Sequence, residues 1–195
     1  MMILPNKPYK FNYIDFDFPN EKWEKKAYMN LRKEVFCEEQ KVFEENDIDL
    51  IDQSAIPIAA YDECMGIVHN VVGAVRIDER TERTWWGSRL CVHKDYRTHT
   101  RFQTSHLFQD QKDVNPIFAL SIGAALIYKA VTTANYLGCD HFYAHVQAKN
   151  KKFFSRLHWE AIEEVEVFGF PHYLMKADLS YYPATPYVET IRKVS

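Results

Sequence analysis

Three β-rich runs, "AIPIAAYDE" (55–63), "NVVGAVRID" (70–78) and "TWWGSRLCV" (84–92), follow one another with only the turn-like "CMGIVH" and "ERTER" between them. β-rich runs separated by such turns read as an antiparallel meander. A meander has an apolar face that must be covered, and the flanking segments supply helices to cover it.

Upstream, "YKFNYIDFDF" alternates Tyr9, Phe11 and Tyr13 with polar neighbours, the period of a half-buried strand. Trp23, Ala27, Tyr28, Leu31 and Val35 then recur at helical spacing with Asn20 as N-cap, and the aperiodic "EENDIDLID" reads as a loop. Downstream, residues 98–115 are polar, lack a period and are long for a connection, so the stretch 98–121 reads as an insertion or flap. A helix follows with Ile122, Leu126, Ala130 and Leu137 on one stripe, ending at Gly138. Then come a strand "HFYAHVQ", a short helix "NKKFFSRL" and a hairpin "EEVEVFGFPHYLMKADL" turning at Gly169 to Pro171. The order β-α-β-β-β-α-β-α-β-β predicts an α+β fold: one domain over 1–195, with helices packed on a mostly antiparallel mixed sheet of about seven strands.

Composition narrows the function classes. Apolar residues make up 47% and charged residues 26%, the balance of a folded chain. A net charge of −3 gives no reason to expect nucleic acid or an anionic membrane as partner. Cys37, Cys64, Cys91 and Cys139 form no CxxC pair, so reduced thiols and no zinc knuckle are expected. His141 and His145 share a strand face, but no third ligand follows at diagnostic spacing, so no metal is expected either. "MMILPNKPYK" lacks the apolar core of a secretory signal, and no run nears the length of about 18 apolar residues needed to span a membrane, so a cytoplasmic protein is expected. GxSxG, Walker and double-Gly dinucleotide motifs are absent.

Several strings resemble the GNAT superfamily of acyl-CoA-dependent N-acyltransferases. "LRKEVFCEEQ" (31–40) with Asp49 and Asp52 behind it is similar to the entry segment of one GNAT subgroup. "VVGAVRI", "WWGSRLCVHKDYR", "GCDHFYAHVQAKNKKFFSRLHW" and "GFPHYLMKADLSYYP" together resemble a bacterial branch associated with nitrogen-starvation gene clusters. The resemblance covers roughly residues 28–183. It implies a GNAT-like domain whose fourth and fifth strands splay apart to hold the pantetheine arm of acetyl-CoA, with main-chain groups of Leu90, Cys91 and Val92 serving the arm as an added strand would. Read without the resemblance, the same three residues are ordinary core strand.

The resemblance also implies a pyrophosphate at the start of the next helix, where unpaired N–H groups and a partial positive charge favour an anion. "FALSIG" occupies the place of the family's Gln/Arg-x-x-Gly-x-Gly/Ala loop. Gly123 matches, whereas Phe118 and Ser121 depart from the pattern. The expected holders are Ser121, Ile122, Gly123 and Ala124 with Arg97 or Arg101. The alternative is that Asn115 and Pro116 start the helix earlier, which would consume the N–H groups of 121–124. Asn150, at the head of the short helix, meets the cofactor in family members and would look identical as a plain N-cap.

Many family members place a Tyr acid where this chain has Phe154, which cannot donate a proton. His158 is the available substitute, or it packs and caps. Glu39 is the first candidate for the base that neutralises the amine, against a solvated helix-end carboxylate. Asp49 and Asp52 could attract a cationic acceptor; Arg76 and Arg89 could bind a carboxylate or pair with nearby acids. One of Trp85 and Trp86 should be core and the other free to line an acceptor pocket. The resemblance thus implies direct acetyl transfer to an amine. Two alternatives stand beside it: an acyl-homoserine-lactone synthase-like enzyme, because "LRKEVF" also resembles that family's start, and a non-catalytic acyl-CoA-binding module. The final hairpin offers an edge through which a homodimer could form.

Overall fold

The computed structural model describes residues 13–64, 67–98, 102, 104 and 121–184. Seven strands form one sheet: β1 (Tyr13–Asp17), β2 (Ile56–Cys64), β3 (Ile67–Thr81), β4 (Thr84–Val92), β5 (His141–Gln147), β6 (Trp159–Val167) and β7 (Phe170–Ala177). Their spatial order is β1-β2-β3-β4-β5-β7-β6. Every neighbouring pair is antiparallel except β4 and β5. The meander expected from 55–92 is present, and the sheet is mixed because β5 arrives only after a helical crossover.

Helix α1 (Lys22–Lys33) covers one sheet face and α2 (Ile122–Tyr136) the other, with the short α3 (Lys151–Arg156) beside α2. On the α1 face Tyr28, Leu31 and Val35 pack against Ala59, Tyr61, Ala74 and Cys91. On the α2 face Leu126 and Ile127 join Ile58, Val72 and Phe142 in the larger core.

Three local expectations shift. The N-cap of α1 is Glu21, not Asn20, because Glu21 and Glu24 cap each other's backbone reciprocally. The inward residues of β1 are Ile14 and Phe16, the opposite parity to Tyr13; Tyr9 and Phe11 lie outside the described residues. The last hairpin turns at Phe168 and Gly169, both at positive φ, so Pro171 already belongs to β7.

Helix α2 is buried almost all round, not on a single stripe: Lys129, Thr132 and Thr133 are as inaccessible as Leu126. Thr132 satisfies its hydroxyl within the helix by donating to the Tyr128 carbonyl at 2.9 Å. The helix lies tight on β3. A Cβ on Gly73 would sit 2.8 Å from Leu126 Cδ1 and 3.1 Å from Ile122 Cγ2, so glycine there sets how closely helix and sheet approach. That contact fixes the N-terminal end of α2 against the centre of the sheet.

Candidate functional site

Strands β4 and β5 pair only at Thr84–His141, Trp85–Phe142 and Trp86–Tyr143. Both continue, to Val92 and Gln147, without pairing again. The cause is legible in β4. Ala74 faces Cys91 and Arg76 faces Ser88, so Arg89 and Leu90 together oppose Val75, and Arg89 has a φ of 54°. Such a bulge bends its strand and increases the local twist. Between the parted strands opens a cleft of about 730 Å³, a size suited to a small-molecule or cofactor ligand.

One end of the cleft lies where α2 begins. Ser121 is extended (φ −157°, ψ 154°) and caps the helix through its Oγ, which accepts from the Ala124 N–H at 3.1 Å. The helix therefore starts at Ile122 and does not run through Ser121 from upstream; Asn115, Pro116 and most of the 98–121 stretch lie outside the described residues, as does Arg101. Helix geometry leaves the Ile122 and Gly123 N–H groups without partners inside the helix, whereas that of Ala124 is taken by Ser121. Ser121, Ile122 and Gly123 line the cleft and Ala124 does not. A Cβ on Gly123 would lie 3.8 Å from Val92 Cγ2 and 3.9 Å from Phe153 Cζ, so β4, α2 and α3 meet at this corner. Asn150 lines it too, and its side chain makes no capping bond to α3.

Leu90, Cys91 and Val92 line the cleft along the unpaired edge of β4, although the Cys91 side chain turns into the α1 core. Arg97 is at hand but engaged. Its guanidinium holds both Glu39 oxygens at 2.6 Å and donates to the Val92 carbonyl at 2.9 Å. That hydrogen-bonded pair keeps the Glu39 carboxyl below the usual carboxylate range, which makes Glu39 a weak proton acceptor.

Phe154 lies in the cleft wall, buried and edge-on to Phe153 and Trp159, with ring centroids 5.8 and 5.1 Å away. His158 is not among the lining residues. It follows α3 at a φ of 63° and stacks flat on Tyr181 at 3.4 Å, the packing alternative for this histidine. Trp85 is core, and Trp86 lines the cleft.

At the other end, on the α1 face of the sheet, arginines and aspartates pair closely. Arg32 contacts Asp47 at 2.8 Å and Asp52 at 2.5 Å; Arg76 contacts Asp49 at 2.6 Å and Asp52 at 2.8 Å; Arg89 contacts Asp47 and Asp49, each at 3.0 Å. Three cations meet three anions. Burial alone would raise the Asp52 carboxyl, yet the hydrogen bonds from Arg32 and Arg76 outweigh it and hold it well below its ordinary value. Asp49 and Asp52 are thus not free to attract a cation, nor Arg76 and Arg89 to take a carboxylate.

Two lining residues went unread as a site in the sequence. Arg80 lies in "ERTER", whose composition reads as a turn although β3 runs through it to Thr81, and His145 by spacing reads as a metal ligand with His141; strand alternation puts both on the Trp86 face. The Arg80 guanidinium lies 4.3 Å over the Trp86 ring, and the His145 ring centroid is 5.1 Å from it. Burial first, then the charges of Arg80 and His172, hold the His145 imidazole below its usual value, with Glu163 pulling the other way. Among the described residues no group of three or more His, Cys, Asp or Glu could hold a metal ion.

The sequence matches no protein-family model and no curated protein. Solved structures do resemble the chain. A Lactobacillus plantarum protein assigned to the N-acetyltransferases superposes with a TM-score of 0.65 at 18% identity, covering 85% of this chain and 98% of its own. An acyl-CoA N-acyltransferase from Pseudomonas aeruginosa gives 0.61 at 20% identity, over 84% and 97%. A CoA-dependent acyl-homoserine lactone synthase, solved with SAM and isopentyl-CoA, gives 0.53 at 12% identity, over 84% and 81%. Likeness at such identities speaks for architecture: the chain has the GNAT fold.

Proposed function

We propose that the protein is an N-acyltransferase that moves an acetyl or other short acyl group from acyl-CoA directly to an amine, and that within the GNAT superfamily it belongs to the nitrogen-starvation-associated branch. The observation that carries the activity is the parting of β4 and β5 beyond Trp86 and Tyr143, with the cleft ending at the start of α2. In this reading the unpaired edge at Leu90, Cys91 and Val92 holds the pantetheine arm by its main chain. The N–H groups of Ile122 and Gly123, with Ser121 and Asn150 beside them, take the pyrophosphate. Arg97 stands at the same end, steadied by Glu39.

An amine resembling lysine has a pKa near about 10.4 and must lose a proton before it can attack a thioester. A main-chain N–H of the bulged β4 can stabilise the oxyanion that forms. Phe154 supplies no proton to the leaving thiolate, whose pKa of roughly 8.5 lets it depart without one at some loss of rate. Three free buried cysteines, Cys37, Cys91 and Cys139, suit work in the cytoplasm.

Thermal-shift titration with acetyl-CoA and longer acyl-CoAs tests the reading, since a ligand at 100 times its dissociation constant stabilises by about 2.7 kcal/mol. A shift is expected; none with any acyl-CoA overturns the assignment. Phe154 also favours a second reading, a non-catalytic acyl-CoA binder. That reading predicts the shift without thiol release for any amine. A lactone synthase-like enzyme would instead prefer long acyl chains or acyl-carrier protein.

A further inference from the structure

Among the described residues four arginines line the cleft, and three give terminal nitrogens to acids of the protein. Arg76 donates to Ser88 and Asp49, Arg89 to Asp47 and Asp49, and Arg97 to Glu39 and the Val92 carbonyl. Arg80 differs. Its Nε is fixed by the buried Asp78 at 2.9 Å, its plane is braced on Trp86, and its two terminal nitrogens make no bond among the described residues. A guanidinium pinned on one edge and open on the other is pre-organised for a planar anion.

The lining acids give the complementary result. Among the described residues Glu39 and Asp49 are the two carboxylates in the cleft wall, and each is held by both terminal nitrogens of an arginine. A second cationic group on an acceptor would find no free carboxylate among the described residues there. Across Trp86 from Arg80 stands His145, two residues beyond the last β4–β5 pair and so at the mouth of the splay. The charged and titratable groups facing it are Arg80 from β3, His172 from β7 and Glu163 from β6.

We propose that the acceptor is a primary amine that also bears a carboxylate, the carboxylate held by the open edge of Arg80 beside Trp86 and the amine deprotonated by His145. The proposal rests on the acyl-CoA reading above. His145 takes one proton from the ammonium; the neutral nitrogen forms its bond to the thioester carbon; the C–S bond breaks, and its electron pair leaves with the CoA thiolate. The second proton lost from nitrogen as the amide forms neutralises that thiolate. Substrate and catalyst stay in redox balance, with acyl-CoA the only co-reactant.

The test is thiol release at saturating acyl-CoA from matched pairs: α-, β- and γ-amino acids, the corresponding amino amides, and an α,ω-diamine. The best acceptor is expected to be a carboxylated amine, with kcat/KM about 10-fold or more above its amide. Arg80→Met should raise KM for it by about 10-fold and shrink the acid-to-amide ratio to within about threefold, with Arg80→Lys intermediate. His145→Asn should lower kcat by about 100-fold and remove the acid limb of the pH profile, with Gln at the same position as a second variant. Each variant is compared at equal folded fraction, read from its melting curve. Amides or diamines used as well or better, an unchanged ratio in Arg80→Met, a surviving acid limb in His145→Asn, or acyl-CoA binding without release by any carboxylated amine would each overturn the proposal. Loss of the acyl-CoA thermal shift itself is a separate readout, and removes the reading beneath it.

Discussion

Trp86 and Tyr143 are the last residues at which β4 and β5 pair, their ring centroids 5.5 Å apart. Beyond them lie the bulge at Arg89 and Leu90, the open edge of β4, and His145 on β5. A strand pair that ends early exposes main-chain groups on facing edges, which must find a ligand or water.

Phe154→Tyr should restore an acid. The ring already stands in the cleft wall between Phe153 and Trp159, where a hydroxyl on it would meet the bound thioester. Turnover with the best amine should rise by about 10-fold or more, measured as thiol release, because a positioned general acid contributes about 10²–10⁴-fold. An equal or lower rate would mean the leaving thiolate is served in another way.

Glu39→Gln separates a base from a brace. As the partner of Arg97, Glu39 can be replaced with kcat held within about threefold, whereas loss of a true general base costs about 10²–10⁴-fold. Steady-state kinetics at pH 7 decides between them.

Gly123→Leu should close the corner where α2 meets Val92 and Phe153. A methyl at Gly123 would meet Val92 and Phe153 at ordinary van der Waals distance, so Gly123→Ala should melt near the parent temperature, while the leucine side chain fills the space expected for the pyrophosphate. Calorimetric titration should then show a CoA dissociation constant raised by about 10-fold or more.

Asp52→Asn should destabilise by about 3 kcal/mol, since it leaves Arg32 and Arg76 short of an anion in a mostly buried network. The pH dependence follows from the direction of the shift. Folding depresses the Asp52 pKa below its unfolded value of about 3.9, so the unfolded chain binds more protons in that window. The stabilisation is present above about pH 4 and is lost as the pH falls through the lower, folded value. Denaturant titrations across pH 2–7 should show that slope reduced in the variant.

The antiparallel meander of β2, β3 and β4 could be read from the sequence because short turns between β-rich runs leave few topologies. What could not be read was which side chains spend their charge on each other. Asp49 lies 27 residues before Arg76 in the chain, yet grips it with both oxygens. Glu39 and Arg97, 58 residues apart, are joined in the same way. Local pattern carries nothing about such pairs, and it is they that leave Arg80, of the cleft arginines, with both terminal nitrogens unspent among the described residues. The full burial of α2 was hidden for a related reason: Lys129, Thr132 and Thr133 look like a solvent face until the helix is enclosed.

Amide hydrogen exchange with and without CoA addresses the central claim most directly. If the pantetheine arm lies along β4 and the pyrophosphate on the start of α2, saturating CoA will slow exchange at residues 87–92 and at Ile122 and Gly123, and leave the β6–β7 hairpin ladder unchanged. Exchange at 87–92 that is already slow in the free protein, or unaltered by CoA at a concentration that binds, would contradict it.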